Sequence, residues 1–381
     1  MKSAVLALSV LVPSVALAAT PEDCGRHYSV LAGETLGTIA QAVYGDARRY
    51  TDIYAANRAA IGASPDTVAV GTTLFLPCAS EPVAETFTPV SAGAVSDLAE
   101  ISPLMEGLDL LAVLDRPDVQ IVDLRMDKDK LDIGFVPGAV HVPFSLWRGP
   151  KDDPGRPPTD AAVSQILSDA GLRPDLPTVL LPAKDHVMHF ARASYAYWLL
   201  KSAGFERLGI LDGGSQRWAN SGFETRTGPA RAQPAPVLVT LADTWRANAL
   251  EVAAVASGQR EGALIDARPE GIFRRQKAGV LVPSTLHGAQ NMESIELHAA
   301  TFGDEDPTLS VLSRLKEQRV DWENVPVINF CSDGTLGAVN WFYASEVVGI
   351  GNVKLFPESI RGWQGDGNPV TIGTLGERLA D

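Results

Sequence analysis

The sequence predicts an α/β protein: two tandem domains, each a parallel sheet flanked by helices, behind a small α+β unit of strand–helix–helix–strand order. Two observations predict the tandem pair. Matching residues recur at nearly constant distance, with Asp123 and Asp266 separated by 143 positions, Gly138 and Gly288 by 150, and both Gly204 and Gly349 and Trp218 and Trp363 by 145, as two copies of one domain require. Each copy also runs through an apolar strand ending in Asp-x-Arg (VQIVDLR, ALIDAR), a turn ending in Gly-Ala, a second apolar strand (TVLLP, PVINFC), a helix and a third strand (LGILDGG, NVKLFPES). Apolar strands alternating with helices imply parallel sheets covered on both faces. The pattern of residues 27–77 predicts the small unit.

In chain order, residues 1–18 read as an export signal. Lys2 gives a positive start, residues 4–15 are mostly apolar, and Ala16-Leu17-Ala18 supplies small residues for cleavage. The apolar run is shorter than the roughly 20 residues a spanning helix needs, and Pro13 interrupts it. The export signal places the mature chain outside the cytoplasm, and because no later stretch is long and apolar enough to span a bilayer, no transmembrane segment is expected in it.

Residues 24–78 make the small unit. Ile39, Ala40 and Val43 form one helical stripe, Ile53, Tyr54 and Asn57 follow at helical spacing, and Thr73-Leu74-Phe75-Leu76 ends in Pro77 as an edge strand does. Residues 79–94, rich in Ala, Pro, Ser and Thr, read as a linker. The first copy then occupies residues 95–228 and the second 238–381, with prolines marking the join.

The chain has three cysteines, Cys24, Cys78 and Cys331. Export places them where disulfides persist, so two can pair and one is left over. Cys24 and Cys78 bracket the small unit, and closing that loop would remove about 4 kcal/mol of unfolded-state entropy in the simple chain model; two buried free thiols are the alternative. A net charge of −14 with no Lys/Arg cluster argues against nucleic acid as a partner. The six histidines are scattered apart from His186 and His189, and no CxxC occurs, so no metal site is expected. No GxGxxG or GxxxxGK[ST] fingerprint is present, and no cofactor is expected.

The motifs YxVxxGxTLxxIA, YGD, IYxAN and GxxLxxP within residues 27–77 resemble a LysM module over its whole length. The resemblance implies binding of peptidoglycan or another N-acetylglucosamine-containing glycan, with Gly33, Glu34, Thr35 and Leu36 in one loop flanking the sugar groove and residues 61–66 in the second. A module that only packs against its neighbour is the other reading.

Cys331 stands where the strand PVINF ends and a helix begins, the end of a parallel sheet at which ligands bind. The loop Cys331-Ser332-Asp333-Gly334-Thr335-Leu336, followed by Gly337, is small and flexible enough for successive N–H groups to form an anion nest around the sulfur. A helix expected over residues 337–348 would point its positive end at the same place. These features predict a lowered thiol pKa and a stabilised persulfide.

Here GFVPGAVHVP, LLKSAGFERLGILDGGSQRW and CSDGTLGAVNWFYASEVVGIGNVKLF resemble the tandem rhodanese sulfurtransferases, from about residue 95 to 381. The resemblance implies that Cys331 takes sulfane sulfur from a small donor such as thiosulfate, 3-mercaptopyruvate or a persulfide, and passes it to a thiol or other thiophilic acceptor. The first copy has no cysteine at Pro182-Ala183-Lys184-Asp185-His186, and its expected role is structural. Thiosulfate users in the family line this loop with Arg or Lys, whereas here Asp333 and Leu336 stand in it, and an acidic group near a dianion is unfavourable. Arg268 and Arg274 are the candidates for orienting an anionic donor, with Arg268 alternatively paired to Asp266. A scaffold in which neither copy is catalytic is the rival reading. A phosphatase or arsenate reductase is disfavoured because Leu336 stands where such loops end in an arginine.

Overall fold

The computed structural model describes residues 25–45, 47–61, 68–78, 99–126, 129, 132–150, 155–299, 307–317, 320–322 and 324–373. The expected export signal, Cys24, the linker at 79–94 and residues 62–66 of the second glycan loop lie outside the described residues. The chain divides into two compact units, residues 1–86 and 87–381.

In the first unit, β1 (Arg26–Ser29), α1 (Leu36–Tyr44), α2 (Tyr50–Ile61) and β2 (Thr73–Leu76) follow the expected order. The two strands pair antiparallel, Arg26 opposite Leu76 and Ser29 opposite Thr73. α1 starts at Thr35 because the Thr35 hydroxyl accepts from the Thr38 N–H at 3.2 Å while the Thr38 hydroxyl accepts from the Thr35 N–H at 2.9 Å. Ile39, Ala40, Ile53, Leu74 and Leu76 bury between helices and hairpin. Asn57 binds the outer strand as another strand would, donating to the Phe75 carbonyl and accepting from the Phe75 N–H, both at 2.7 Å. Cys78 is disulfide-bonded.

The second unit holds two parallel sheets. Its first half comprises β3 (Leu104–Met105), α3 (Gly107–Val113), β4 (Gln120–Asp123), β5 (Val140–His141), α4 (Asp160–Ala170), β6 (Thr178–Leu181), α5 (Val187–Ser202), β7 (Leu208–Leu211) and α6 (Gly214–Asn220). The second half comprises α7 (Ala249–Ala256), β8 (Ala263–Asp266), α8 (Glu270–Phe273), β9 (Gln276–Lys277), β10 (Val280–Leu281), β11 (Gln290–Asn291), α9 (Ser294–Ala299), α10 (Pro307–Glu317), β12 (Val327–Phe330), α11 (Thr335–Phe342), β13 (Val353–Leu355) and α12 (Ser359–Gly365). Strand orders are β3-β7-β6-β4-β5 and β13-β12-β8-β11, the same sequence of equivalents. At the open edge of β13, Arg246 bridges Leu355 in parallel, where β3 lies in the first half.

The repeat extends to side chains. Asp123 and Asp266, fully buried at strand ends, each hold the arginine two positions on in a bidentate pair, Arg125 at 2.7 Å and Arg268 at 2.6 Å. Trp218 and Trp363 each donate an indole N–H to the carbonyl six residues later, of Glu224 and Pro369.

The halves share a core. α5 is buried on almost every side and packs against α11, with Tyr197 edge-on to Phe342 at 5.1 Å and Phe190 stacked on Tyr343 at 5.5 Å. Lys201 of α5 binds Glu346 at 2.6 Å. The extended join lies along α4, where Ser168 and Ser164 hydroxyls accept from the Val237 and Val239 N–H groups at 2.9 and 3.0 Å. Among the described residues no helix is long and apolar enough to cross a membrane.

Candidate active site

β12 is the inner strand between β8 and β13, buried at all four positions, and it delivers Cys331 to the carboxyl edge of its sheet. The backbone then turns through Gly334 at φ 87°, where a Cβ would meet the Pro357 carbonyl oxygen at 2.5 Å, so a side chain is excluded. The turn is tied to the segment after β13. Cys331 N–H donates to the Ser359 hydroxyl at 3.0 Å, and the Cys331 and Ser332 carbonyls accept from Ile360 and Arg361 N–H groups at 3.2 and 3.0 Å. α11 begins at Thr335, two residues before the expected start, and gives way to a π-helical turn at Tyr343–Val347.

The N–H groups of Asp333, Leu336 and Gly337 hydrogen-bond the Cys331 sulfur. This is the cradle geometry of an anion nest. The expectation of a lowered thiol pKa is nevertheless overturned: burial pushes the Cys331 thiol up, the Asp333 carboxylate raises it further, and the three N–H groups offset only part of this. The sulfur is 4.0 Å from Asp333 Oδ1, and Cys331 is 1% exposed.

Arg268 is buried and committed to Asp266 and to the Ser284 carbonyl at 2.8 Å, so its guanidinium has a structural job. Arg274 pairs with Glu270 one helical turn away at 3.0 Å and is partly exposed. Sequence reasoning missed Arg148, which reaches from the first half to the loop. It donates to the Asp333 carbonyl at 2.7 Å and to the Thr335 hydroxyl at 3.3 Å. Nothing in SLWRG signals this, because the partner is 185 residues away.

At the corresponding end of β6, the cysteine-less loop is held by close packing and ion pairs. Gly214 approaches so closely that a Cβ would lie 2.1 Å from the Pro182 carbonyl oxygen, and Asp185 pairs with Arg217, which also pairs with Asp212. His186 caps α5 by accepting from the Met188 N–H at 3.1 Å. His189 lies beside Arg192 and Asp129, and burial holds its pKa down to about 4. Among the described residues no His, Cys, Asp and Glu cluster could hold a metal ion.

In the N-terminal unit, Gly33 takes φ 87°. Glu34 accepts from the Tyr28 hydroxyl at 2.6 Å and the Leu31 N–H at 2.8 Å, Thr35 caps α1, and Leu36 is 1% exposed. These four residues fold the turn, and Leu36 offers no surface to a ligand.

The rhodanese-like domain profile matches residues 108–221. The chain is 27% identical over 294 residues to SseB of Mycobacterium tuberculosis strain CDC 1551, named "Putative thiosulfate sulfurtransferase SseB", spanning 75% of this chain and 97% of that protein. A similarly named protein of Mycolicibacterium smegmatis is 27% identical over 65% of this chain and 88% of its own. Among solved structures, the 3-mercaptopyruvate sulfurtransferase SseA of Escherichia coli superimposes with a TM-score of 0.56 at 20% identity, over 68% of this chain and 98% of its own. An anaerobic ergothioneine biosynthesis enzyme of Chlorobium limicola gives 0.60 at 16% identity, over 71% and 70%. The chain thus contains a rhodanese-like domain at residues 108–221 and is similar, in sequence and in fold, to rhodanese-type sulfurtransferases.

Proposed function

We propose that this chain is an exported sulfurtransferase that carries sulfane sulfur as a persulfide on Cys331, its two halves acting as tandem rhodanese domains of which the second is active. The observation that carries the reading is the cradle of three N–H groups on a lone, free cysteine at a strand end. Once deprotonated, the Cys331 sulfur attacks the outer sulfur of the donor. With thiosulfate the S–S bond breaks and sulfite leaves with the electron pair. With 3-mercaptopyruvate the C–S bond breaks, and the carbon takes the proton of the transferred SH to give pyruvate. An acceptor thiolate then attacks the outer sulfur, and Cys331 leaves as thiolate.

The sulfurtransferase names of its relatives support this reading, as does a solved relative of the same fold containing ergothioneine covalently linked with a persulfide. The test is turnover with a thiol acceptor: sulfite released from thiosulfate, or pyruvate from 3-mercaptopyruvate, abolished by Cys331→Ser. A non-catalytic scaffold is the second reading, favoured by the buried thiol and the adjoining Asp333. It requires no release from either donor and no difference between wild type and Cys331→Ser.

The LysM-like motifs and the βααβ order of the first unit support peptidoglycan as the surface that holds the protein, in the periplasm or otherwise outside the cytoplasm. Co-sedimentation with insoluble peptidoglycan tests this.

A further inference from the structure

Asp333 sets a carboxylate beside the Cys331 sulfur, and no basic residue within the loop of residues 331–336 offsets it. The cation comes from the other half of the unit. Arg148 follows the short helical turn Phe144–Trp147, and Trp147 anchors that turn, fully buried with its indole N–H on the Val142 carbonyl at 3.2 Å. The guanidinium stands 4.5 Å from the ring centre of buried Tyr195 and is itself only 10% exposed. One Nη donates to the Asp333 carbonyl at 2.7 Å and lies 3.7 Å from the Asp333 carboxylate; the other donates to the Thr335 hydroxyl at 3.3 Å.

We propose that Arg148, supplied by the half that has no cysteine, is a positioning residue for the sulfur-carrying loop. By bridging Asp333 and Thr335 it fixes the turn whose N–H groups face the sulfur, and its charge offsets the carboxylate that the loop itself introduces. A forked, permanently charged guanidinium makes both bonds at once, which an ammonium holds less well. Arg246 and Glu358, the other charged groups around Tyr195, are paired with each other. Arg148 is thus a basic side chain bonded directly to the loop. The first half is then part of the active site as well as its support. This deepens the reading of Cys331 as a sulfur carrier and rests on it.

The experiment is an ultraviolet thiolate titration of the full-length protein, disulfide intact, each variant measured as the difference from its Cys331→Ser counterpart. Arg148→Ala should raise the Cys331 midpoint by about one pH unit, cutting the thiolate fraction about tenfold below the midpoint. Arg148→Lys should recover part of that shift, and a purely structural role would show no such recovery. A folded Arg148→Ala protein with an unchanged midpoint would overturn the proposal. Should Arg148→Ala fail to fold, Arg148→Gln decides in its place, since it keeps a donor and loses the charge: an unshifted midpoint would overturn it equally. The titration involves no sulfur donor, so a wild type that no donor loads would count against sulfur transfer and leave the Arg148 result to be judged separately.

Discussion

Opposing influences meet on the sulfur of Cys331. Three N–H groups favour its anion, whereas burial and the Asp333 carboxylate disfavour it, and the second pair prevails. Because the raised pKa keeps the thiol protonated at neutral pH, removing the nearby carboxylate should move the titration down. Asp333→Asn is therefore expected to speed alkylation of Cys331 severalfold at neutral pH, as measured by iodoacetamide kinetics; an unchanged rate would mean that Asp333 does not act on the sulfur. The position of Cys331 was legible, because a strand pattern ended at it. Its pKa was not: the sequence shows a small flexible loop but not the depth at which that loop lies. Nor could Arg148 be found, since its partners come from a segment with no local pattern linking it to them.

Among the elements, the strands announced themselves most clearly. Each core strand is a short apolar run closed by Asp or a turn, and Asp-x-Arg turned out to be the same buried ion pair in both halves. The hairpin of β9 and β10 escaped notice because its turn uses Ala278 at φ 52° before Gly279, a weaker signal than two typical turn residues. α11 starts earlier than its apolar pattern suggested because Gly334 caps it directly after the loop.

Between α5, α9 and α11 lies a buried histidine with a consequence for acid stability. His298 stacks on Phe190 at 4.4 Å and its Nδ1 is 2.8 Å from the Tyr343 hydroxyl. Burial lowers its pKa from 6.5 to about 4. The unfolded chain therefore takes up a proton that the folded one refuses. Stability from this group is present above pH 6.5 and is lost as pH falls toward 4, by about 3 kcal/mol in all. His298→Gln should flatten the fall in denaturation midpoint over that window, relative to wild type; equal slopes would remove His298 as the cause.

For the whole molecule, one strand order is used in both halves of the second unit, and the parallel α/β class was legible in apolar strands alternating with helices. Repeats fix topology but not division of labour, and the asymmetry lies in a few residues. Cys331 occupies one strand end, whereas Asp185, ion-paired to Arg217, stands in the loop at the other. The N-terminal unit is separate in the same sense, so its deletion should leave sulfur loading intact. Loss of residues 24–78 is expected to abolish co-sedimentation with insoluble peptidoglycan without lowering turnover; retained sedimentation would place the glycan contact elsewhere or dismiss it.

The most direct test of the central claim is the intact mass of the protein after exposure to thiosulfate, 3-mercaptopyruvate or a polysulfide. A gain of one sulfur atom that is reversed by a thiol and absent in Cys331→Ser is the predicted result. An unchanged mass with every donor, while Cys331 stays free and titratable, would contradict it.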